Sequence, residues 1–279
     1  MRYRELKPTP SLQPFVECFW TLENDGSIGL SPPERILPDG CVELILNFAD
    51  RFLQHDAVQT KLQPRNFLVG QMTGPILISA TGRVELLAIR FQPGGTRPFI
   101  KTQAHEFTDR VTELGAVSSR FERDLLQACA PAPTLSRKIA ATEILLNALV
   151  TKTKLDSQPL ALAASIINYR GVVSVDKLAS QAGISSRQLE RRFLSEVGIS
   201  PKLLARIVRF QQVFRAVDQS NPAWADVALS CGYYDQAHLI RDFKQFAQQT
   251  PAVLLANQTA LAEAFTRKTR MSGFSNTAA

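Results

Sequence analysis

The sequence is poor in the residues that usually build metal and catalytic sites. Its 279 residues include three histidines and four cysteines, and no two cysteines form a CxxC pair. His55 and His105 precede residue 158 and lie fifty positions apart, whereas a transition metal needs several clustered ligands. No Gly-rich phosphate loop or nucleophile elbow is present either. We therefore expect no catalytic residue, no metal site and no cofactor.

Long apolar runs are absent as well. No stretch approaches the roughly 18 uninterrupted apolar residues of a membrane span, and residues 1–13 lack the apolar segment of a secretory signal. Isolated cysteines in an unexported chain are mostly reduced and structural, although Cys41 leaves a redox-sensing role open. The sequence predicts a cytoplasmic protein that does not contact a membrane.

Positive charge is concentrated toward the C-terminus. Residues 1–157 carry 18 basic and 17 acidic side chains, residues 158–257 carry 11 and 7, and residues 258–279 carry 3 and 1. A polyanion such as double-stranded DNA would therefore attract the C-terminal part. Many solvated surfaces carry a similar excess, so the charge alone is weak evidence.

The N-terminal part has the pattern of strands and turns. Short β-prone runs separated by Gly, Pro, Asp and Asn favour a small barrel or sandwich; they cover Phe15–Leu22, Cys41–Phe48, Phe67–Val69, Ile76–Ser79 and Val84–Phe91. From about Phe99 to Thr153 the pattern becomes helical, notably at Val117–Ala130 and Leu135–Val150. The predicted fold class is α+β: a β-rich domain with trailing helices at 1–157, an all-α domain at 158–257, and a basic tail at 258–279 that we expect to be frayed.

The most informative feature is an internal repeat with an offset of fifty residues. The residues that recur are Leu189, Arg191, Phe193, Ser200 and Pro201, which return as Leu239, Arg241, Phe243, Thr250 and Pro251. Each copy begins with a short helix, at Val175–Ala182 and at Pro222–Cys231, and a glycine turn and a second helix follow. The sequence therefore predicts two helix-turn-helix units.

Capping signals mark where these helices begin. In the first copy Ser185 starts the second helix, and Gln188 completes a capping box. In the second copy Asn221 is the cap before Pro222 at the first helical position, and Asp235 caps the second helix.

The outward face of each second helix is suited to reading DNA. It carries Arg187, Glu190 and Arg191 in the first copy, and Gln236, Ile240 and Arg241 in the second. A helix fits the major groove, and Arg or Gln near its N-terminal half reaches base edges. Solvation alone also explains such charges on a single surface helix, and for His238 a capping or phosphate contact and packing in the turn are equally consistent with the sequence.

The segment that joins the copies is predicted to be a helix that sets the distance between them. Lys202–Val217 has apolar residues at helical spacing, and sixteen residues rise about 24 Å. Two recognition helices attached to its ends would lie about one DNA turn apart, roughly 34 Å, on the same face of a duplex.

Residues 160–256 resemble the AraC-type DNA-binding domain. The matching stretches are DKLASQAGISSRQLERRFLSEVGISP and DVALSCGYYDQAHLIRDFKQFAQQTP, and the features within or between them are Gly183, Gly198, Arg209 and Gly232. The resemblance implies base-facing positions at Arg187, Glu190 and Arg191 in the first unit and at Gln236, Ala237, Ile240 and Arg241 in the second. Ser185, Ser186 and His238 complete the candidate DNA-binding set.

Two features depart from the family pattern. Gln248 stands where the repeat and the family have glycine, and Leu254-Leu255 replaces Tyr-Arg after the final proline. Ala237 and Ile240 are also poor hydrogen-bonding residues, so we expect the second unit to read thymine methyl groups or DNA shape.

The N-terminal half resembles the cupin-like sensing modules that precede this domain in many regulators, through Phe91–Gly95 and the run after Pro38. This implies a domain that binds an effector, of unknown identity, and mediates dimerisation. Several charged residues either line a ligand pocket or form surface ion pairs: Glu34, Arg35, Asp39 and Glu43. The expected partners are operator or promoter DNA, a small-molecule effector, a second copy of the chain and, for an activator, RNA polymerase.

Three candidate functions make different demands on these features. A ligand-responsive regulator requires a hollow in the barrel and specific DNA binding, whereas a cupin-type enzyme requires a clustered ligand set that the sequence lacks. A nonspecific architectural binder requires uniform basic charge, but Glu190 repels phosphate and is useful only against specific bases such as cytosine. The sequence therefore predicts a sequence-specific transcription factor that responds to an effector.

Overall fold

The computed structural model describes residues 1–24, 26, 29–56, 58–153, 157–217 and 223–256. Its strands, in chain order, are β1 (Arg2–Leu6), β2 (Val16–Glu23), β3 (Glu34–Ile36), β4 (Val42–Asn47), β5 (Leu53–His55), β6 (Thr60–Leu62), β7 (Asn66–Val69), β8 (Ile76–Ser79), β9 (Glu85–Phe91) and β10 (Val111–Glu113). They form two antiparallel sheets, with strand orders β1-β2-β9-β4-β7-β10 and β3-β8-β5-β6. The β-rich N-terminal domain is thereby confirmed.

Helices follow the sheets, apart from a 3-10 helix at Ala104–Phe107. They are α1 (Leu114–Cys129), α2 (Leu135–Val150), α3 (Gln158–Asn168), α4 (Val175–Gln181), α5 (Ser186–Glu196), α6 (Pro201–Ala216), α7 (Trp224–Ser230), α8 (Gln236–Ala247) and α9 (Pro251–Ala256). The α+β class and the all-α C-terminal part are confirmed, and the predicted helix at Leu135–Val150 has the bounds of α2.

The larger sheet is covered on both faces, which explains the continuous apolar runs of its central strands. Leu44 of β4 and Ile89 of β9 pack in a core with Phe121 of α1, whereas their neighbours Ile45 and Ala88 belong to the core on the opposite face. Strands buried on both faces lose the alternation of apolar and polar residues that marks a half-exposed strand.

The segment between Phe99 and Glu113 is not an α-helix, so the predicted start of the helical region at about Phe99 is wrong. Its pattern predicts a helix, but it contains the 3-10 helix Ala104–Phe107 and then β10, whose Val111 pairs with Val69 of β7. Pairing with an existing sheet edge supplies hydrogen bonds that the local sequence does not reveal, so tertiary contact overrides local preference here.

The C-terminal helices form two similar three-helix units that share one core. The first contains α3, α4 and α5, and the second contains α6, α7 and α8. Phe210 of α6 lies at the centre, with its ring centroid 4.8 Å from that of Phe243 and 5.3 Å from that of Phe246. Within α6 only Lys202 and Ala216 are exposed. The linking helix is therefore buried on nearly all sides, as its predominantly apolar pattern predicts.

Gln248 occupies a backbone conformation that favours glycine. It ends α8 with φ of 55°, and its counterpart Gly198, after α5, has φ of 98°. A side chain in this left-handed region costs free energy because its Cβ lies too close to the backbone. The departure seen in the sequence is therefore a point of backbone strain.

Gln248→Gly should stabilise the protein by about 0.5–1 kcal/mol, because glycine relieves the strain at positive φ. The midpoint of thermal unfolding measures the change. Gln249→Gly is the matched control and should destabilise the protein, since Gln249 has a negative φ. A lower unfolding midpoint for Gln248→Gly would contradict this account.

Candidate nucleic-acid interface

The first helix-turn-helix unit is formed by α4 and α5, with Gly183 between them at φ of 67°. Ser185 caps α5 through the predicted capping box: its hydroxyl accepts from the Gln188 amide at 3.2 Å, and the Ser185 amide donates to Gln188 Oε1 at 2.9 Å. The Ser186 hydroxyl donates to Asp176 of α4 at 2.6 Å. These bonds fix the angle at which α5 leaves the turn.

The second unit, formed by α7 and α8, repeats this arrangement. Gly232 takes a positive φ of 78°, and the carboxylate of Asp235 accepts from the His238 amide at 2.6 Å. The predicted cap for the preceding helix, Asn221 with Pro222, lies outside the described residues. Helix α7 begins at Trp224, with Ala223 at its N-cap and no side-chain capping bond.

Helix α5 presents its candidate residues to solvent. Leu189 and Phe193 are fully buried beneath it. The exposed residues on its other side are Ser185, Ser186, Arg187, Glu190 and Arg191. The separation into an apolar and a polar face leaves both arginines and the Glu190 carboxylate free to approach a ligand without unfolding the unit.

The candidate residues of α8 divide into two groups. Gln236, Ala237 and Arg241 are exposed. His238 is half-buried, with its ring edge-on to that of Tyr233 at 5.1 Å, and Ile240 packs partly against the core. The His238 ring therefore serves the packing of the turn.

Tyr234 is a surface residue that the sequence interpretation missed. It precedes the Asp235 cap, and 86% of its surface is exposed. Large aromatic side chains are rarely so exposed, and this one stands beside the start of α8. The sequence contained one signal for this residue: Tyr234 is an aromatic residue immediately before the cap of a predicted recognition helix.

Polar side chains fix both recognition helices at equivalent repeat positions. Asp242 of α8 is buried, and its carboxylate accepts from Arg206 of α6 at 2.6 Å. Fifty residues earlier, Arg192 of α5 donates to Gln158 of α3. Each recognition helix is thus joined to the first helix of its own unit by a bond that the apolar pattern did not reveal.

A small cavity in the N-terminal domain borders α6. Its volume is about 30 Å³, enough for one or two water molecules, and Gln211 of α6 contributes to its lining. Arg90 forms buried ion pairs with Glu43 at 2.5 Å and with Asp39 at 3.1 Å. Of the four charged residues singled out in the sequence, Asp39 and Glu43 therefore both line the cavity and form ion pairs, but these pairs are buried. Arg35 also lines the cavity, whereas Glu34 is not part of its lining.

Cys41 lies beside this charge cluster and is held as a thiol. Its sulfur donates to the Glu17 carboxylate at 3.2 Å. Burial, and then the nearby carboxylates of Asp39 and Glu17, raise the pKa of the Cys41 thiol well above its usual value. A redox sensor needs a depressed pKa, so the structural role of this cysteine is favoured.

Within the described residues, no group of three or more His, Cys, Asp and Glu side chains is arranged to hold a metal ion. No helix among these residues is long and apolar enough to cross a membrane.

Two family models match the chain. Residues 178–257 match a family described as a helix-turn-helix domain, which includes α5 to α9. Residues 4–113 match a family described as a domain of unknown function. The boundary between these matches falls within the segment that contains α1, α2 and α3.

Two curated proteins match part of the chain. Over 78 residues the chain is 32% identical to the HTH-type transcriptional regulator MtrA of Neisseria gonorrhoeae and 31% identical to an uncharacterized HTH-type transcriptional regulator of Haemophilus influenzae. Each match covers 28% of this chain and 26% of the relative. The chain thus matches about a quarter of the length of these relatives.

Two solved structures align with most of the chain. ToxT from Vibrio cholerae O395 has 9% identity and a TM-score of 0.45, over 87% of this chain and 98% of that one. The AraC-like transcriptional activator CuxR has 12% identity and a TM-score of 0.24, over 77% and 86%. Likeness at these scores does not bear on what this chain binds.

Arg206→Met should destabilise the protein by about 3 kcal/mol, because it leaves the buried carboxylate of Asp242 without its cation. Urea unfolding measures the loss. Arg187→Met, at an exposed position of α5, is the control and should change stability by less than about 0.5 kcal/mol. Equal stability of the two variants would show that the ion pair does not fix α8.

Proposed function

We propose that this chain, whose residues 178–257 match a helix-turn-helix family, is a sequence-specific transcription factor of the AraC type that binds operator or promoter DNA through both units. The observation that carries the proposal is the pair of capped amphipathic helices, α5 and α8, whose N-terminal halves are exposed at equivalent repeat positions. Two such helices on one linking helix would enter successive major-groove segments on the same face of a duplex, about one turn apart.

In the first unit, we assign base reading to the exposed charges of α5. Arg187 and Arg191 are suited to the O6 and N7 acceptors of guanine, and Glu190 to the amino group of cytosine. The hydroxyls of Ser185 and Ser186 are engaged within the unit. Their expected contribution is therefore to place the free amides at the start of α5 against a phosphate.

In the second unit, base reading falls to Gln236 and Arg241, and Ala237 is placed to contact a thymine methyl group. Ile240 is half-buried and His238 packs on Tyr233, so we assign both a supporting role. Exposed Tyr234 is suited to a contact with the sugar-phosphate backbone, to which tyrosine hydroxyls commonly donate.

The division into domains at 1–157 and 158–257 belongs to the same proposal. The first domain, whose sequence motifs are cupin-like, would bind an effector and a second copy of the chain. The protein would act in the cytoplasm and, if it is an activator, would also contact RNA polymerase. The cavity beside Arg90 admits only water-sized molecules. A larger effector would therefore have to open it, which would couple effector binding to α6. The tail at 258–279 lies outside the described residues.

A nonspecific architectural DNA binder is the second candidate. The exposure of Glu190 among the arginines of α5 argues against it, because a carboxylate on the contact face weakens binding that depends only on phosphate charge.

Arg191→Ala should weaken specific binding by about 1–3 kcal/mol and leave nonspecific binding nearly unchanged, because only base contacts are lost. Mobility shift at fixed salt, on a duplex selected by the wild-type chain from a random pool, measures both. Arg137→Ala, at an exposed position of α2, is the control. Equal affinity of Arg191→Ala and wild type for the selected duplex would falsify the assignment.

The full chain should protect two major-groove segments about 10 base pairs apart, since both units lie on one linking helix. Hydroxyl-radical footprinting on the selected duplex tests this. Arg241→Ala should weaken protection of one segment and Arg191→Ala that of the other. A single protected segment in the wild-type footprint would contradict reading by two units.

A further inference from the structure

The N-terminal domain contacts the far end of the first recognition helix. Thr108, after the 3-10 helix, donates to the Gly198 carbonyl at 2.7 Å, and Arg97 pairs with Glu196 at 3.3 Å. A Cβ at Gly198 would lie 3.1 Å from the carbonyl oxygen of Ala104 and 3.2 Å from Gln71. The end of α5 is thus closely packed against the N-terminal domain.

The same domain contacts the far end of the second recognition helix. Arg35 of β3 donates to the Ala247 carbonyl at 3.0 Å. Ala247 is the last residue of α8, and in the fifty-residue repeat it is one position from the counterpart of Gly198. The last carbonyls of a helix have no hydrogen-bond donor within the helix. The N-terminal domain therefore supplies a missing donor to α8 through Arg35, and it bonds the α5 end at Gly198, one residue beyond the C-cap Val197.

A third contact lies on the linking helix between these two. Gln211 of α6 donates to the Pro38 carbonyl at 2.5 Å, and a Cβ at Gly40 would lie 2.9 Å from Leu204. We name Pro38–Gly40 the docking turn. Its Asp39 accepts from the Cys41 amide at 2.9 Å and pairs with Arg90. The buried charge cluster thus fixes the turn that contacts α6.

These contacts leave the DNA-facing surface uncovered. They involve the C-terminal ends of α5 and α8 and one side of α6, whereas Arg187, Arg191, Gln236 and Arg241 are exposed beside the N-terminal halves of the helices. The arrangement therefore does not block DNA. It fixes the separation and angle of two helices that must enter the groove together.

We propose that the N-terminal domain positions both recognition helices for joint reading, with Thr108, Arg35 and Gln211 as positioning residues that do not touch DNA. This rests on the proposed function. A movement of the docking turn would then change the spacing that the protein accepts between its two half-sites, and this is the property through which the N-terminal domain would regulate binding.

The spacing dependence of DNA binding tests the proposal. The probes are the duplex selected by wild type, the same duplex with one to three base pairs inserted between the protected segments, and a duplex with one segment scrambled. Wild type should discriminate strongly against the insertions. In the double variant Thr108→Val/Arg35→Met, the ratio of affinities for the selected duplex and the duplexes with insertions should fall about tenfold, because two hydrogen bonds are lost. Its affinity for the single-segment duplex should equal that of wild type. The controls are Thr112→Val and Arg51→Met.

An unchanged spacing profile in the double variant would overturn the proposal, as would an equal loss on every duplex, since that would indicate a general loss of folding or of DNA contact. Amide exchange of the DNA-free full chain gives an independent readout. Thr108→Val should accelerate exchange at the end of α5 alone, and Arg35→Met at the end of α8 alone. If wild type selects no duplex, the proposed function fails. Unaltered amide exchange in both variants would instead show that the Thr108 and Arg35 bonds do not hold the helix ends, and would contradict the positioning role.

Discussion

The burial of the linking helix α6 is the constraint on which the rest of the structure depends. Its apolar residues fill the core of the C-terminal part, where Phe210 contacts Phe243 and Phe246. Three of its polar residues contact three different neighbours: Arg206 binds Asp242 of α8, Arg209 donates to the Gly171 carbonyl after α3, and Gln211 donates to the docking turn. A helix this enclosed cannot rotate or shift without disturbing both units and the N-terminal domain.

On the proposed function, this connectivity would connect the β-rich domain mechanically to the DNA-reading helices. Its larger sheet, which contains β4, is packed on both faces, so a change at β4 is transmitted with little local relaxation. Arg35 lies in β3 and the docking turn lies beside β4, and they contact α8 and α6. The Arg90 cluster lies directly behind the turn. Ligand binding there would disturb the residues that position the recognition helices.

Much of this architecture could be predicted from sequence, because it rests on local signals. The capping box at Ser185 and Gln188, the Asp235 cap and the helical spacing of α6 all specify structure over a few residues. The unusual residue Gln248 could be identified because the first copy of the repeat has Gly198 at the same position. The exposed positions of α5 followed from the same periodicity.

The features that sequence did not reveal depend on distant contacts. β10 forms because β7 offers an unpaired edge, and the role of Asp242 requires Arg206, thirty-six positions earlier. The half-burial of His238 and Ile240 depends on how α8 meets Tyr233 and the core. The contacts of Thr108 and Arg35 with helix ends join residues separated by 90 and 212 positions. Periodicity within one helix carries no information about such pairs.

The separation of the two recognition helices in solution tests the central claim most directly. Spin labels at Arg187→Cys and Gln236→Cys, in a chain with Cys41→Ser because the other three cysteines are buried, report this separation by double electron–electron resonance. The account predicts one narrow distance distribution near the turn of B-DNA, about 34 Å, without DNA present. A broad or two-peaked distribution would show that α6 and the N-terminal domain do not fix the two units, and would contradict the account.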